Sequence, residues 1–196
     1  SIQGPKALLV MKEVCFEPVP PMEEHQWIAA VIAGHNVTVV RSTHGPGGGY
    51  DLLVPKEGAG DVWDFILLKG AFHGIKAFGQ EALDVLRVEA GIPVYGVDVD
   101  ENNMMLETGM SDAVSFTKGC YTGQEAVAMA TYRGHVSKKL SGLVVEGDLV
   151  PAHGDQVLVG ERAVGSVTSA TRSGALGRVI AMAYIKYGFF SAGTAV

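Results

Sequence analysis

The sequence is poor in cysteine, in basic residues and in long apolar runs. Its 196 residues include two cysteines, Cys15 and Cys120, far apart along the chain. Two such residues make no disulfide framework and fit a reducing cytoplasm. Fifteen Lys and Arg stand against 21 Asp and Glu, a formal net charge of −6. That balance speaks against direct nucleic-acid binding, which needs a basic surface to displace counterions. Apolar stretches such as Trp63 to Leu68 are far shorter than the roughly 20 residues that span a bilayer. No signal peptide is seen, and no membrane partner is expected. With eight prolines and no G-X-Y period, the chain is not collagen-like.

Glycine is in surplus instead. There are 26, about 13% of the chain against a usual 7% or so. Since 47% of the residues are hydrophobic, the chain is no disordered linker. Glycine here punctuates folded structure at turns, caps and close backbone approaches. The length allows one large domain or two small ones.

Two regions differ in pattern. The first, residues 1–136, mixes helical and strand periods. Gly4-Pro5 opens a helix through about Val14, with Pro5 suited to a first turn. Met22 to Ala33 reads as a helix closed by Gly34. Val37 to Arg41 and Tyr50 to Val54 read as a hairpin. Asp61 to Leu68 reads as a helix N-capped by Asp61. Gln80 to Ala90 is another, stopped by Gly91 and Pro93, and Thr122 to Tyr132 a fifth. The second region, residues 137–196, shows four strands between glycine-bearing turns: Leu140 to Val145, Gln156 to Val159, Ala163 to Thr171 and Val179 to Ile185. That spacing suggests a small β-barrel or sandwich. The basic segment from Arg133 to Lys139 is a reasonable domain boundary. The fold class is α+β.

The loop Gly45-Pro46-Gly47-Gly48-Gly49 is not a phosphate loop, because no Gly-Lys-Ser/Thr follows and the next segment is a strand. It reads as a mobile hairpin tip. The six histidines are scattered without i,i+4 pairs, and neither cysteine has a partner at finger-like spacing, so no metal site is expected. Glu89 is more informative. At about 100° per residue, Ala82, Leu83, Val85, Leu86 and Ala90 share one arc of the Gln80–Ala90 helix, with Asp84 and Arg87 opposite. Glu89 falls inside the apolar arc and in the last turn, where the helix dipole disfavours an anion. Two local rules broken at one residue mark a candidate site. The carboxylate either accepts N–H donors of a flat heterocycle or bends out to solvent.

The run Lys118-Gly119-Cys120-Tyr121-Thr122-Gly123-Gln124-Glu125 is the densest feature. Thr122-x-x-Glu125 has the form of a capping box. Cys120 would then lie just before a helix N-terminus and near Lys118, two features that favour a thiolate. The alternative is a small buried thiol. The segment from Arg133 to Lys139 is either a solvated linker or a cradle for anionic groups such as a carboxylate tail.

These residues resemble a known family. Lys118 to Glu125 looks like the signature of YgfZ-type folate-binding proteins, relatives of the glycine-cleavage T-protein, an aminomethyltransferase. Ile2-Gln3-Gly4-Pro5-Lys6-Ala7 is similar to that family's Gln-Gly-Pro segment. Leu86-Arg87-Val88-Glu89-Ala90-Gly91, followed by Tyr95-Gly96, resembles the T-protein's Arg-x-Glu-Ala-Gly and Tyr-Gly. Gly165-Ser166-Val167-Thr168-Ser169 resembles its barrel motif. The resemblance implies a GcvT-like folate-binding fold, with a ferredoxin-like split βαβ region and a small C-terminal β-barrel. It implies tetrahydrofolate, or a folate derivative, as cofactor. It places Glu89 on the pterin and a cation that assists folate binding at Lys118. Tyr95 is a further candidate for folate binding, and Lys118 and Arg133 are candidates for anionic parts of the ligand. It gives Cys120 a thiol role. The YgfZ branch implies support of iron–sulfur proteins and, through them, tRNA modification. The alternatives are an aminomethyltransferase passing a one-carbon unit to tetrahydrofolate and a non-catalytic interaction module. Family members carry a long stretch before Gln-Gly-Pro, which in the T-protein holds the catalytic Asp, so the chain reads as the later part of a longer protein.

Overall fold

The computed structural model describes all 196 residues, apart from the side chain of Arg133. Packing divides the chain into two compact units, Ser1–Ala90 and Gly91–Val196.

The first unit is built on a four-stranded antiparallel sheet. Its strands are β1 (Ile2–Gln3), β2 (Trp27–Ile32), β3 (His35–Arg41) and β4 (Gly49–Leu53), in the order β1-β4-β3-β2. Helices α1 (Ala7–Val14) and α2 (Ala59–Gly70) supply the other half of the core. On α1 the buried residues are Ala7, Val10, Met11 and Val14, the i, i+3, i+4, i+7 stripe of a helix with one face inward. They meet Ile32, Val37, Val39 and Tyr50 from the strands and Val62 and Ile66 from α2. A third helix, α3 (Gln80–Glu89), ends the unit.

One expected element is wrong in kind. Met22 to Ala33 is not a helix: Trp27–Ile32 is β2, paired with β3 from Trp27↔Val40 to Ile32↔His35. Trp, Ile and Val suit a pleated strand. Ala33 and Gly34, read as a helix end, have φ of 52° and 82° and form the two-residue connection of a hairpin. Pairing with β3 decides the matter. The hairpin expected between Val37–Arg41 and Tyr50–Val54 is present as β3 and β4, from Thr38↔Leu53 to Arg41↔Tyr50.

The second unit holds a short helix, α4 (Gln124–Arg133), and a second antiparallel sheet. Its strands are β5 (Lys138–Val145), β6 (Gln156–Val159), β7 (Arg162–Ser173) and β8 (Arg178–Lys186), in the order β5-β8-β7-β6. Ala181, Ala183 and Ile185 alternate along β8 and join Val157, Val164 and Val167 in one core. Val179 follows the same alternation, and Ile180 and Met182 on the opposite face are buried as well. Gly165 permits the β7–β8 approach, because a Cβ there would lie 2.5 Å from the Tyr184 carbonyl oxygen.

Met11 is fully buried at the centre of the first core. Met11→Ala is expected to lower the unfolding free energy by about 3 kcal/mol, as large-to-small core changes do. Chemical denaturation monitored by circular dichroism checks this.

Candidate functional site

The glycine loop between β3 and β4 is packed, not mobile. The Gly4 amide donates to the Gly48 carbonyl at 2.8 Å, and the Ser42 amide donates to the Gly49 carbonyl at 3.2 Å. Gln3 pairs with Gly49 across β1 and β4. A Cβ at Gly47 would lie 2.6 Å from the Pro5 backbone nitrogen, and one at Gly49 would displace the Gln3 carboxamide, 2.2 Å away. Gly45 is buried against α3, with Leu86 Cβ 3.2 Å from where its Cβ would be. The loop therefore lies against the last turns of the helix that ends at Glu89.

Two side chains that sequence reading passed over flank this loop. His44 Nε2 lies 2.8 Å from Asp51 Oδ2 and 3.2 Å from Ser42 Oγ. The His44 amide donates to Gln3 Oε1 at 2.9 Å, and Gln3 Nε2 donates to the Ser42 carbonyl at 3.0 Å. Burial alone would push the Asp51 carboxyl up. Hydrogen bonds with His44, Ser1 and Ser42 and the His44 charge outweigh it and hold the group below the usual carboxylate value. The signal available in the sequence is a His and an Asp on either side of a hairpin loop.

Glu89 is the final residue of α3 and is partly buried. The expected wheel needs correction. Ala82 and Ala90 are exposed, while Arg87, expected opposite the apolar arc, is buried. Its Nε donates to Asp84 Oδ1 at 3.0 Å, so the guanidinium is paired as it leaves water. Glu89 belongs to the first unit; Tyr95, Lys118, Cys120 and Arg133 belong to the second.

Tyr95 is exposed, and its hydroxyl donates to Glu101 Oε2 at 3.1 Å. Lys118 is exposed too, with Nζ 4.7 Å from the centroid of the Tyr121 ring, a cation–π contact. Cys120 is exposed and stands four residues before α4 begins at Gln124. The expected capping box does not form. The N-cap position is Gly123, at φ 88°, and no side chain caps the helix. A turn from the Tyr121 carbonyl to the Gln124 amide enters the helix in place of Thr122. Arg133 ends α4, and its side chain lies outside the described residues.

The basic stretch that follows is partly neutralised. Lys138 Nζ lies 4.0 Å from Glu107 Oε2 and over the Tyr184 ring at 4.7 Å. Ser137 Oγ donates to Glu107 Oε1 at 3.0 Å, and His135 stacks on Tyr187 with centroids 4.1 Å apart. A groove of about 470 Å³ remains, lined by His135, Lys139, Tyr187 and Phe190 among others.

Asp98 anchors the loop after α3 to the second sheet. It is 2% exposed. Oδ1 accepts from Thr168 Oγ1 and Ser169 Oγ, both at 2.6 Å, and Oδ2 accepts the Val94 amide at 3.0 Å. The Gly165–Ser169 segment thus supplies both hydroxyls. Nearby, burial first, then the charges of Glu107, Asp100 and Asp98, push the Tyr184 phenol up to about 12.

A family model described as the GCVT N-terminal domain matches residues 1–118, and one described as the glycine cleavage T-protein C-terminal barrel domain matches residues 138–196. The chain belongs to the glycine cleavage T-protein family. Among its relatives, the aminomethyltransferase of Streptomyces avermitilis is 31% identical over 198 residues, covering 100% of this chain and 53% of that protein. The aminomethyltransferase of Caldanaerobacter subterraneus subsp. tengcongensis is 33% identical over 186 residues, covering 94% of this chain and 50% of that protein. The trimethylamine-oxide aldolase of Ruegeria pomeroyi is 32% identical over 206 residues, covering 100% of this chain and 26% of that protein. The crystal structure of glycine cleavage system aminomethyltransferase T from Bartonella henselae superimposes with a TM-score of 0.83. It shares 22% identity, and the match covers 98% of this chain and 52% of that one, a likeness of fold. The chain thus spans about half the length of the curated aminomethyltransferases it matches. Both family domains occur in it, in order, as a GcvT-like α+β fold with two antiparallel sheets. Among the described residues, no helix is long and apolar enough to cross a membrane.

Two measurements test this description. Asp98→Ala removes a buried acceptor shared by two hydroxyls and an amide, and is expected to cost about 3 kcal/mol of unfolding free energy; Asp98→Asn should cost less. The cysteines should differ in reactivity. Burial pushes the Cys15 thiol up to about 11, whereas Cys120 is exposed. A thiol-reactive dye at pH 8 should label Cys120 well before Cys15, because the thiolate is the reacting form. Equal rates would contradict the structure.

Proposed function

We propose that the protein binds tetrahydrofolate and serves one-carbon transfer of the aminomethyltransferase type. The observation that carries this reading is the collinear match of nearly the whole chain to aminomethyltransferases, through both family domains. The site chemistry is compatible. A pterin ring presents N–H donors, and Glu89 is a partly buried acceptor at the end of α3. Lys118, exposed and cationic beside Tyr121, suits a carboxylate-bearing tail, as does Arg133. Tyr95 contributes an aromatic edge. When bound, the folate supplies the nitrogen that accepts the carbon unit.

A second reading, support of iron–sulfur proteins and thereby tRNA modification, is favoured by one observation. Cys120, inside the YgfZ-like run from Lys118 to Glu125, is an exposed thiol on an irregular segment. Aminomethyl transfer to folate has no evident use for it.

Isothermal titration of the full-length protein with tetrahydrofolate tests the main reading. Binding is expected, weakened at least tenfold by Glu89→Gln, which loses the charge on the acceptor. Absence of binding, or an unchanged affinity in the variant with the fold intact, sinks the assignment of Glu89 to the pterin. If Cys120→Ala leaves folate binding and transfer intact but lowers iron–sulfur enzyme activities in cells, the second reading gains over the first.

A further inference from the structure

The segment that leaves α2 forms one wall of an apolar cavity within the first unit. The chain turns at Ala71–His73 and reverses at Gly74, at φ 79°. The Gly74 amide donates to the Ala71 carbonyl at 3.0 Å, and the Ile75 amide donates to the Gly70 carbonyl at 3.2 Å. Ile75 thereby packs on the end of α2, where a Cβ at Gly70 would lie 2.8 Å from Ile75 Cγ2. Lys6 Nζ donates to the His73 carbonyl at 3.3 Å and ties the segment to the start of α1. Between α1, α2, this segment and α3 lies a cavity of about 620 Å³. Its apolar lining includes Val10, Ile66, Leu67, Ile75, Phe78 and Leu83. A cavity of that size and composition suits a small organic ligand.

The charged lining is of one sign. Lys6 and Lys76 contribute to it, and among the described residues no Asp or Glu does. Lys6 spends one ammonium hydrogen on the His73 carbonyl and keeps two. Lys76 is exposed and forms no ion pair among the described residues. His73 also lines the cavity; its Nε2 is buried without a hydrogen-bond partner, with Glu13 Oε1 3.7 Å away and outside the lining. Pro5, Lys6 and Ala7, where α1 begins, complete this side, so the positive end of the helix dipole adds to the cations. Trp63 and Phe78, 53% and 43% exposed, leave apolar surface in contact with water. None of these residues is among those assigned to folate.

We propose that this cavity is a site for a small apolar carboxylic acid, its hydrocarbon body against the apolar walls and its carboxylate held by Lys6 and Lys76. Charge complementarity selects the class. A neutral apolar molecule leaves the two ammonium groups unanswered, and an organic cation is repelled by them. A sugar or a bare phosphate answers the lysines but wastes the apolar lining. A carboxylate on an aliphatic chain satisfies both, because ammonium donors form charge-assisted hydrogen bonds with it. Medium-chain fatty acids are the simplest members of the class.

Decanoate is the probe, with decanol as its uncharged counterpart and decyltrimethylammonium as the counterpart of opposite charge. Isothermal titration of the full-length protein should give one saturable site for decanoate. Decanoate should bind about tenfold more tightly than decyltrimethylammonium, the preference that charge-assisted pairing supplies. The whole chain carries a net charge of −6, so a preference for the anion requires local cations. Tryptophan fluorescence should change in step with binding. The other tryptophan, Trp27, lies on β2 and outside the cavity, so Trp63→Phe should remove the optical signal. The double variant Lys6→Met, Lys76→Met should bind decanoate about tenfold more weakly, yet bind decanol within about twofold of the parent. Lys6→Arg, Lys76→Arg should retain decanoate. No saturable binding, equal affinity for anion and cation, or an unchanged decanoate affinity in the methionine variant overturns the proposal. So does displacement of decanoate by tetrahydrofolate, or a dimer in sedimentation that decanoate dissociates, which would make a second copy the occupant. The comparison of anion with cation is made on the parent protein, so a variant that fails to fold leaves that test standing.

Discussion

The steric constraint on which the first unit turns is the closeness of the β3–β4 loop to its neighbours. The loop meets Pro5, Gln3, Arg41 and Leu86 at distances where a Cβ at Gly47, Gly49, Gly48 or Gly45 would collide or crowd. Backbone occupies the space that side chains take elsewhere. In return, β1 can pair with β4, the Gly4 amide finds the Gly48 carbonyl, and α3 is brought against the hairpin. His44 and Asp51 share this frame. Their 2.8 Å contact is set by strands and loop together, so the pair is organised before any ligand arrives.

The second unit is organised by a buried charge. Asp98 leaves water, and three donors meet its carboxylate. The hydroxyls come from β7, so the loop following α3 is tied to the sheet by polar contacts and not by apolar burial alone. Around this anchor, acids gather near Tyr184 and basic residues answer them, with Lys138 facing Glu107. The run from Lys118 to Glu125 shows the opposite economy. Lys118 and Cys120 are exposed, and the nearest helix begins without a side-chain cap.

Much of this was legible along the chain. The helix after Gly4-Pro5, the strand pair around the glycine loop and the four later strands follow local signals, and the structure keeps all of them. Periodicity failed where two local signals compete. Trp27 to Ile32, next to Ala33-Gly34, reads equally as a helix and its stop or as a strand and its turn; pairing with β3 settles it. Arg87 misled the helical wheel because a guanidinium is polar by composition yet buries readily beside Asp84. Thr122 and Glu125 have the spacing of a capping box, but Gly123 at φ 88° turns the chain into α4 before Thr122 can cap it.

The sequence by itself determined the class of fold, the broad GcvT family and the segments where chemistry would be sought, because these depend on composition, short-range period and ordered motifs; its YgfZ-type reading within that family stays a proposal. The tertiary structure decided what each segment does. It turned a glycine-rich stretch from an apparent mobile tip into a packed wedge, since only its neighbours reveal how closely its backbone approaches Pro5, Gln3 and Leu86. It joined Asp98 to residues 70 and 71 positions away. It also set His44 against Asp51, a contact that needs strand register, hairpin closure and the grip of Gln3 at once. Such contacts sum over distant parts of the chain, and no window along it contains them.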